Sequence, residues 1–242
     1  MKYLRLAFSL LTIFPVGSIS GSPQAGDSGR AAVWYPLVGL VIGCVVSAGW
    51  WVFHLVFPDW LAAALSLAVW VLITGGLHLD GLADCCDGLP AAASPERRLE
   101  IMADPHIGTF GVVGLILVIL LKLFALAALP ESTRLFALVF APTCSRWLVL
   151  LAGRQPLART GGMAADFAAG LTNRAILLAA LIPLALLLAG SLPAALSAVL
   201  AALAAVGIFA FARSRIGGVT GDVFGLTIEL TELVLLLTYA TF

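Results

Sequence analysis

The sequence is poor in charged residues. Lys, Arg, Asp and Glu together make up 11% of the 242 residues, whereas 62% are hydrophobic. This ratio excludes an ordinary soluble domain, in which about 25% of residues are charged. The 13 basic and 13 acidic residues balance, and the basic ones form no extended patch, so we expect no nucleic-acid partner. The expected partner is the lipid bilayer.

Cysteine and histidine are also scarce, with four and three copies respectively. Cys44 and Cys144 lie inside apolar runs, and Cys85 and Cys86 are adjacent. This arrangement fits neither a disulfide framework nor the paired Cys-x-x-Cys spacing of zinc sites. We therefore expect the cysteines to be small packing residues.

Long apolar runs dominate the chain, and a run of about 20 such residues can cross a bilayer as a helix. They lie at 31–57, 60–77, 107–129, 134–152, 175–190, 192–212 and 223–242. We predict an all-α fold, a polytopic membrane helix bundle with about seven transmembrane helices. The bundle would form one membrane domain over 1–242.

The first 16 residues superficially resemble a secretory signal, because Lys2 and Arg5 precede an apolar run. The run ends at Pro15 without a small-x-small cleavage site. We therefore expect an N-terminal interfacial or re-entrant helix. A mobile loop rich in Gly and Ser would follow at 18–29.

Basic residues are distributed unequally between the two sides of the predicted bundle. One side would carry the N-terminus and loops at about 78–107, 153–174 and 213–222, where most Lys and Arg residues lie. The other side would carry only Arg134. By the positive-inside rule, the first side faces the cytoplasm together with all the polar motifs.

Three carboxylates follow the second apolar run. Asp80, Asp84 and Asp87 are spaced four and three residues apart, so on a helix they share one face. The Gly, Ala and Leu residues between them indicate a buried helix. Carboxylates on such a face repel one another, and a hard divalent cation would stabilise them. We predict a metal or substrate role, with a solvated acidic surface as the alternative.

A second polar cluster precedes the third apolar run. Asp104 would cap the following helix, whose N-terminal amides suit phosphate oxygens. His106 would donate to a phosphate or relay a proton. The alternative for His106 is an ordinary interfacial histidine.

The last apolar run carries acids that require an explanation, since each costs about 3 kcal/mol if held charged in hydrocarbon. Glu229 and Glu232 share one helix face, and Asp222 joins it if the helix begins early. We expect these side chains to point into the bundle, toward a bound cation or a cationic side chain. Internal salt bridges with Arg146 and Lys122 are the structural alternative.

Together these motifs resemble the adenosylcobinamide-GDP ribazoletransferases, also called cobalamin synthases. The resemblance covers nearly the whole chain, in the family's motif order. The motifs are the segment from His78 to Leu89, Asp104 followed by Ile107-Gly108-Thr109-Phe110-Gly111, Ser145-Arg146-Trp147, and Gly217-Gly218-x-Thr220-Gly221-Asp222 with Glu229 and Glu232. Departures from the family pattern are Ile13, near which a basic residue would be expected, and His106, where Arg is common.

The resemblance implies the last assembly step of the coenzyme B12 nucleotide loop, in the bacterial inner membrane with the active site facing the cytoplasm. Such enzymes join adenosylcobinamide-GDP to α-ribazole or its 5′-phosphate, release GMP and require Mg²⁺. A homo-oligomer is compatible with the sequence.

The chemistry of phosphoryl transfer then suggests a role for each polar residue, since it needs a metal, a base and positive charge. Magnesium ligands would be Asp80, Asp84 and Asp87. Residues that bind substrate phosphate would be Arg146 and Arg215. Catalytic residues would be Asp84, Asp104, His106, Asp222, Glu229 and Glu232.

Two other functions would also use acids inside a membrane bundle. CDP-alcohol phosphotransferases have an Asp-Gly-rich helix, but their signature spacing differs from that of Asp84 and Asp87. A divalent-cation or metabolite transporter would usually show internal repeats. No convincing repeat is present.

Overall fold

The computed structural model describes residues 1–17 and 24–242, and within those ranges it contains helices and no β-strand. This confirms the all-α prediction. The helices are α1 Lys2–Leu11, α2 Asp27–Ala31, α3 Tyr35–His54, α4 Asp59–Thr74, α5 Leu77–Gly88, α6 Pro95–Met102, α7 Thr109–Ala128, α8 Glu131–Leu148, α9 Met163–Gly170, α10 Asn173–Ala179, α11 Leu181–Ala189, α12 Leu192–Ile216 and α13 Gly221–Tyr239.

Membrane-spanning helices confirm the membrane character of the chain. Among the described residues, four helical segments are long and apolar enough to cross a bilayer, and up to six if each of two bent pairs counts as one span. The four are Asp27–His54, Thr109–Ala128, Glu131–Arg154 and Leu192–Ile216. The predicted count of seven is not confirmed. Helix α13 is not among the six, although its 19 residues are long enough to span.

Helix α13 lies at the centre of the bundle and packs against α5, α7, α8 and α12. Most of its side chains are buried, including Glu229 and Glu232. In contrast, α7 exposes large apolar side chains such as Phe110, Leu117 and Phe124. The helix that carries acids is thus surrounded by protein, whereas α7 presents an apolar face suited to lipid.

Small residues allow close helix packing between α3 and α8. A Cβ atom at Gly39 would lie 2.3 Å from the carbonyl oxygen of Pro142, and one at Gly43 would lie 2.6 Å from the Val139 Cα. Such close backbone approach is typical of membrane helix pairs, where van der Waals packing stabilises association.

The predicted N-terminal helix is present as α1, which buries Ala7 and Leu11. The chain is then attached to the end of α4, because the Ile13 N–H donates to the Ile73 carbonyl at 2.8 Å. Residues 18–23 of the predicted mobile loop lie outside the described residues. The loop prediction was wrong at its other end, where residues 27–29 belong to α2.

The chain turns sharply between α4 and α5, by 90°. Gly75 and Gly76 make the turn with φ angles of 63° and 68°, a conformation that only glycine adopts without strain. The predicted loop at 78–107 is consequently mostly helical, since it contains α5 and α6. This turn places the acidic face of α5 at one end of the bundle.

Candidate active site

The three predicted acids do lie on one helix, α5. Asp80 is exposed, whereas Asp84 and Asp87 are partly buried. Asp84 is repelled electrostatically by Asp222, Asp80 and Asp87. Neither the Asp80 nor the Asp84 carboxylate has a hydrogen bond or ion pair with any described residue. These two carboxylates are therefore available to a ligand.

Close packing between α5 and α13 brings Asp222 near the acids of α5. A Cβ at Gly81 would lie 2.9 Å from the Asp222 Cα, and one at Gly225 would lie 2.9 Å from the His78 carbonyl oxygen. Asp222 is repelled by Asp80 and attracted by Arg159. Two motifs far apart in the sequence thus form one acidic cluster.

A cavity of about 540 Å³ opens beside this cluster. We call it the polar cavity. Its wall includes His78, Asp80, Arg159, Thr220 and Asp222. A site with carboxylates and a guanidinium in one wall can hold an anionic substrate and move a proton.

Arg159 reaches the polar cavity because two loops are joined. The Ala158 N–H donates to the Val219 carbonyl at 3.0 Å, and the Val219 N–H donates to the Pro156 carbonyl at 2.8 Å. Gly218 permits this approach, since a Cβ there would lie 2.3 Å from the Pro156 carbonyl oxygen. Sequence reasoning missed Arg159 as a site residue. The sequence feature that could have identified it is its position directly before the Thr160-Gly161-Gly162 turn.

Asp87 has a different environment from the other two acids of α5. Its carboxylate accepts hydrogen bonds from the Gly108 N–H at 2.8 Å and the Gly111 N–H at 2.9 Å. It therefore caps the first turn of α7, the role that the sequence suggested for Asp104. That expectation for Asp104 was wrong, because the Asp104 carboxylate accepts from the backbone N–H of His106, at 2.9 Å, within its own loop.

Asp104 and His106 form an exposed pair outside the polar cavity. His106 Nδ1 lies 2.8 Å from Asp104 Oδ1. Hydrogen bonding from the His106 backbone N–H, then from its ring, lowers the pKa of Asp104. The structure does not bring this pair to Asp80 or Asp222, so its catalytic role stays a prediction without geometric support.

Glu229 and Glu232 lie in a buried charge network in the middle of the bundle. Lys122 Nζ donates to Glu229 Oε2 at 2.6 Å and to Glu232 Oε2 at 2.5 Å. Arg146 pairs with the other oxygen of Glu232 and is completely buried. The internal salt bridges that the sequence offered as an alternative are therefore present. None of these four residues lines the polar cavity.

Arg215, predicted to bind phosphate, instead holds the segment that follows α5. Its Nε donates to the Leu89 carbonyl at 2.8 Å, and its Nη2 donates to the Pro90 and Ala91 carbonyls at 3.1 and 3.2 Å. The guanidinium is thus largely occupied by backbone carbonyls. Arg159 is the arginine that the structure brings to the polar cavity.

The magnesium site at Asp80, Asp84 and Asp87 stays a prediction. Within residues 1–17 and 24–242, no three His, Cys, Asp or Glu side chains are arranged to hold a metal ion by themselves. Asp87 is occupied by two backbone amides. Asp80, Asp84 and Asp222 are the carboxylates that stay close to one another with little compensating charge.

An apolar helix bundle with a polar, carboxylate-lined cavity at one end is the architecture of a membrane-integral enzyme. The chain belongs to the cobalamin-5-phosphate synthase family, whose model matches residues 3–240.

Relatives support this assignment over the full length of the chain. A protein of Ectopseudomonas mendocina (strain ymp), named adenosylcobinamide-GDP ribazoletransferase, is 38% identical and covers 98% of this chain and 97% of its own. A protein of the same name from Pseudomonas putida (strain GB-1) is 40% identical, covering 97% of both chains. No solved structure matches the chain.

Proposed function

We propose that this chain transfers adenosylcobinamide phosphate from adenosylcobinamide-GDP to α-ribazole or α-ribazole 5′-phosphate, the final step of cobalamin assembly. The names of its full-length relatives support this reaction. The structural observation that carries the proposal is the meeting of Asp80, Asp222 and Arg159 at one cavity. Helix packing brings these groups together from three separate segments.

In the proposed reaction, a ribazole hydroxyl attacks the phosphorus that bears the cobinamide. A new P–O bond forms, the bond to GMP breaks, and the hydroxyl proton goes to a base. Asp222 or Asp80 would accept that proton, because both carboxylates line the polar cavity. Arg159 would bind oxygens of the diphosphate and offset their negative charge.

Magnesium fits the donor chemistry of this site. Mg²⁺ prefers carboxylate oxygens and commonly uses only one or two of them, together with substrate phosphates and water. Asp84 and one of Asp80 and Asp222 would hold it, with the other of these two free to act as the base, since the three carboxylates repel one another and lack nearby cations other than Arg159. When bound, the ion would neutralise phosphate oxygens and stabilise the leaving group. Asp87 would support the site indirectly, through the start of α7.

The proposed location is the bacterial inner membrane, with the polar cavity open to the cytoplasm. The cavity end of the bundle carries Arg154, Arg159 and, in the last turn of α12, Arg213, whereas Arg134 lies near the opposite end of α8. This distribution supports a cytoplasmic cavity through the positive-inside rule. Nucleotide and ribazole substrates would then arrive from the cytoplasm, and the corrinoid would lie at the membrane surface.

The test uses purified protein in proteoliposomes. GMP should be released only when adenosylcobinamide-GDP, α-ribazole and Mg²⁺ are all present. Asp84→Asn and Asp222→Asn should each reduce turnover at least about 100-fold, as loss of a group that stabilises transition-state charge does.

Glu131→Gln is the matched control, because Glu131 is an exposed acid at the first turn of α8. It should keep full turnover. Absence of GMP release from the unmodified protein would refute the proposal. Uptake of Co²⁺ or Mg²⁺ by the same vesicles without substrate consumption would instead indicate a transporter.

A further inference from the structure

Thr220 is a buried residue in the wall of the polar cavity to which the proposed reaction assigns no role. Only 6% of it is exposed, and it directly precedes α13 as the residue that caps the start of that helix. Its hydroxyl donates to Oδ2 of Asp222 at 3.1 Å. The same hydroxyl oxygen accepts from the Val223 N–H at 3.4 Å. Thr220 is thus in direct contact with an acid of the candidate active site.

The backbone on both sides of Thr220 is held in place. Before it, the Val219 N–H donates to the Pro156 carbonyl, and the Val219 carbonyl accepts from the Ala158 N–H. After it, α13 packs against α5. The threonine side chain is itself stiff at χ1, because two heavy atoms branch from its Cβ. The hydrogen bond from Thr220 to Asp222 is therefore supported by a rigid surrounding structure, as a well-defined site requires.

This hydrogen bond distinguishes Asp222 from the neighbouring acids Asp80 and Asp84, whose carboxylates have no hydrogen bond with any described residue. In Asp222, Oδ2 is held by Thr220. Oδ1 has no hydrogen bond within residues 1–17 and 24–242. A carboxylate that is held at one oxygen offers the other in a defined direction, and a reacting group that is oriented beforehand lowers the barrier of the reaction.

We propose that Thr220 is a positioning residue, which holds the Asp222 carboxylate through Oδ2 so that Oδ1 takes part in the reaction. This inference rests on the proposed function, in which Asp222 accepts the proton of the ribazole hydroxyl or helps to hold the ion. Thr220 forms no bond to substrate and transfers no proton. Because it acts by orienting a group that is used in the transition state, its loss should lower kcat more than it weakens substrate binding.

The first test compares substitutions that keep or remove the hydroxyl. Thr220→Val keeps the shape of the side chain without the donor, whereas Thr220→Ser keeps the donor. A hydrogen bond to a charged group is worth about 10- to 100-fold. Thr220→Val should lower kcat for GMP release by about that factor, with KM for adenosylcobinamide-GDP within about threefold of the unmodified protein. Thr220→Ser should keep kcat within about threefold. A Thr220→Ser protein as slow as Thr220→Val would contradict the inference.

Thr172→Val is the matched control for loss of a helix cap. Thr172 caps α10 in the same way, since its hydroxyl oxygen accepts from the Ala175 N–H at 3.1 Å, but it does not line the polar cavity. It should keep the kcat of the unmodified protein. If Thr220→Val does not fold, Thr220→Gly replaces it, because glycine at a cap position costs little helix stability. The kcat of the unmodified protein in either folded Thr220 variant would overturn the inference.

The second test is a double-mutant cycle, which asks whether Thr220 acts through Asp222. The residual GMP release of Asp222→Ala is compared with that of the double variant that also carries Thr220→Val. The two rates should agree within about threefold, since the hydroxyl then has no carboxylate to hold. A further loss of about 10- to 100-fold in the double variant would show that Thr220 acts independently, and would overturn the inference. Absence of GMP release from the unmodified protein would refute the proposed function and this inference together.

Discussion

Gly81 and Asp222 are in backbone contact: a Cβ atom on Gly81 would lie 2.9 Å from both the Cα and the carbonyl oxygen of Asp222. This contact joins α5 to the first turn of α13. It is the reason that Asp80 of α5 and Asp222 share one cavity wall. A residue with no side chain therefore decides the geometry of the candidate active site.

We expect Gly81→Ala to impair turnover more than stability. The added methyl group must displace backbone atoms of α13, and a shift of about 1 Å at a catalytic group costs about 100-fold in rate. GMP release and thermal unfolding should both be measured. Gly207→Ala is the control, since a Cβ at Gly207 meets nothing within 4 Å. Equal effects of the two substitutions would contradict the prediction.

Asp87 is expected to stabilise the fold more than it contributes to metal binding. Asp87→Ala leaves the N–H groups of Gly108 and Gly111 without their acceptor, at a cost of about 1–3 kcal/mol each. The unfolding midpoint should fall clearly, and less so for Asp87→Asn, which keeps a carbonyl oxygen. Asp104→Ala, in an exposed loop, should unfold like the unmodified protein. If Asp87→Ala keeps the unfolding midpoint of the unmodified protein but loses Mg²⁺-dependent turnover, the result would favour the prediction that Asp87 is a magnesium ligand.

Lys122 is expected to be a structural cation. Lys122→Met leaves Glu229 and Glu232 with one fewer counter-ion in a buried site and should destabilise the protein by about 3–5 kcal/mol. Adding Glu229→Gln should restore part of that loss. Arg97→Met removes the exposed pair with Glu100 and should cost less than about 1 kcal/mol. Denaturant unfolding measures all three. Unchanged stability with abolished turnover would show that the acids take part in the chemistry.

Arg159 is expected to determine affinity for the nucleotide substrate. Arg159→Ala should raise KM for adenosylcobinamide-GDP about 10- to 100-fold through loss of a charge-assisted hydrogen bond. Arg159→Lys should recover part of the affinity, because lysine keeps the positive charge but lacks the planar guanidinium that donates two parallel hydrogen bonds. Arg154→Ala is the control, as Arg154 is exposed and does not line the polar cavity. If steady-state kinetics show the same KM for Arg159→Ala and the unmodified protein, the assignment fails.

Helical periodicity and hydrophobicity are local properties, and they were sufficient to predict the membrane bundle and to place Asp80, Asp84 and Asp87 on one helix. The same reasoning did not assign a role to Arg159. This residue lies in an irregular loop, which has no repeating pattern that indicates which way a side chain points.

The sequence by itself determined that this protein lies in a membrane, that it is helical and which family it belongs to. Composition suffices for the first two, and the order of the motifs suffices for the third. Only the tertiary structure decided which charged groups meet. The turn at Gly75 and Gly76 and the contact of Gly81 with Asp222 set the angles between helices. Those angles direct Asp222 to the cavity and leave Glu232 with Lys122 in the bundle interior. Whether distant side chains meet depends on how the helices pack in three dimensions. The spacing of residues along the chain does not show this packing.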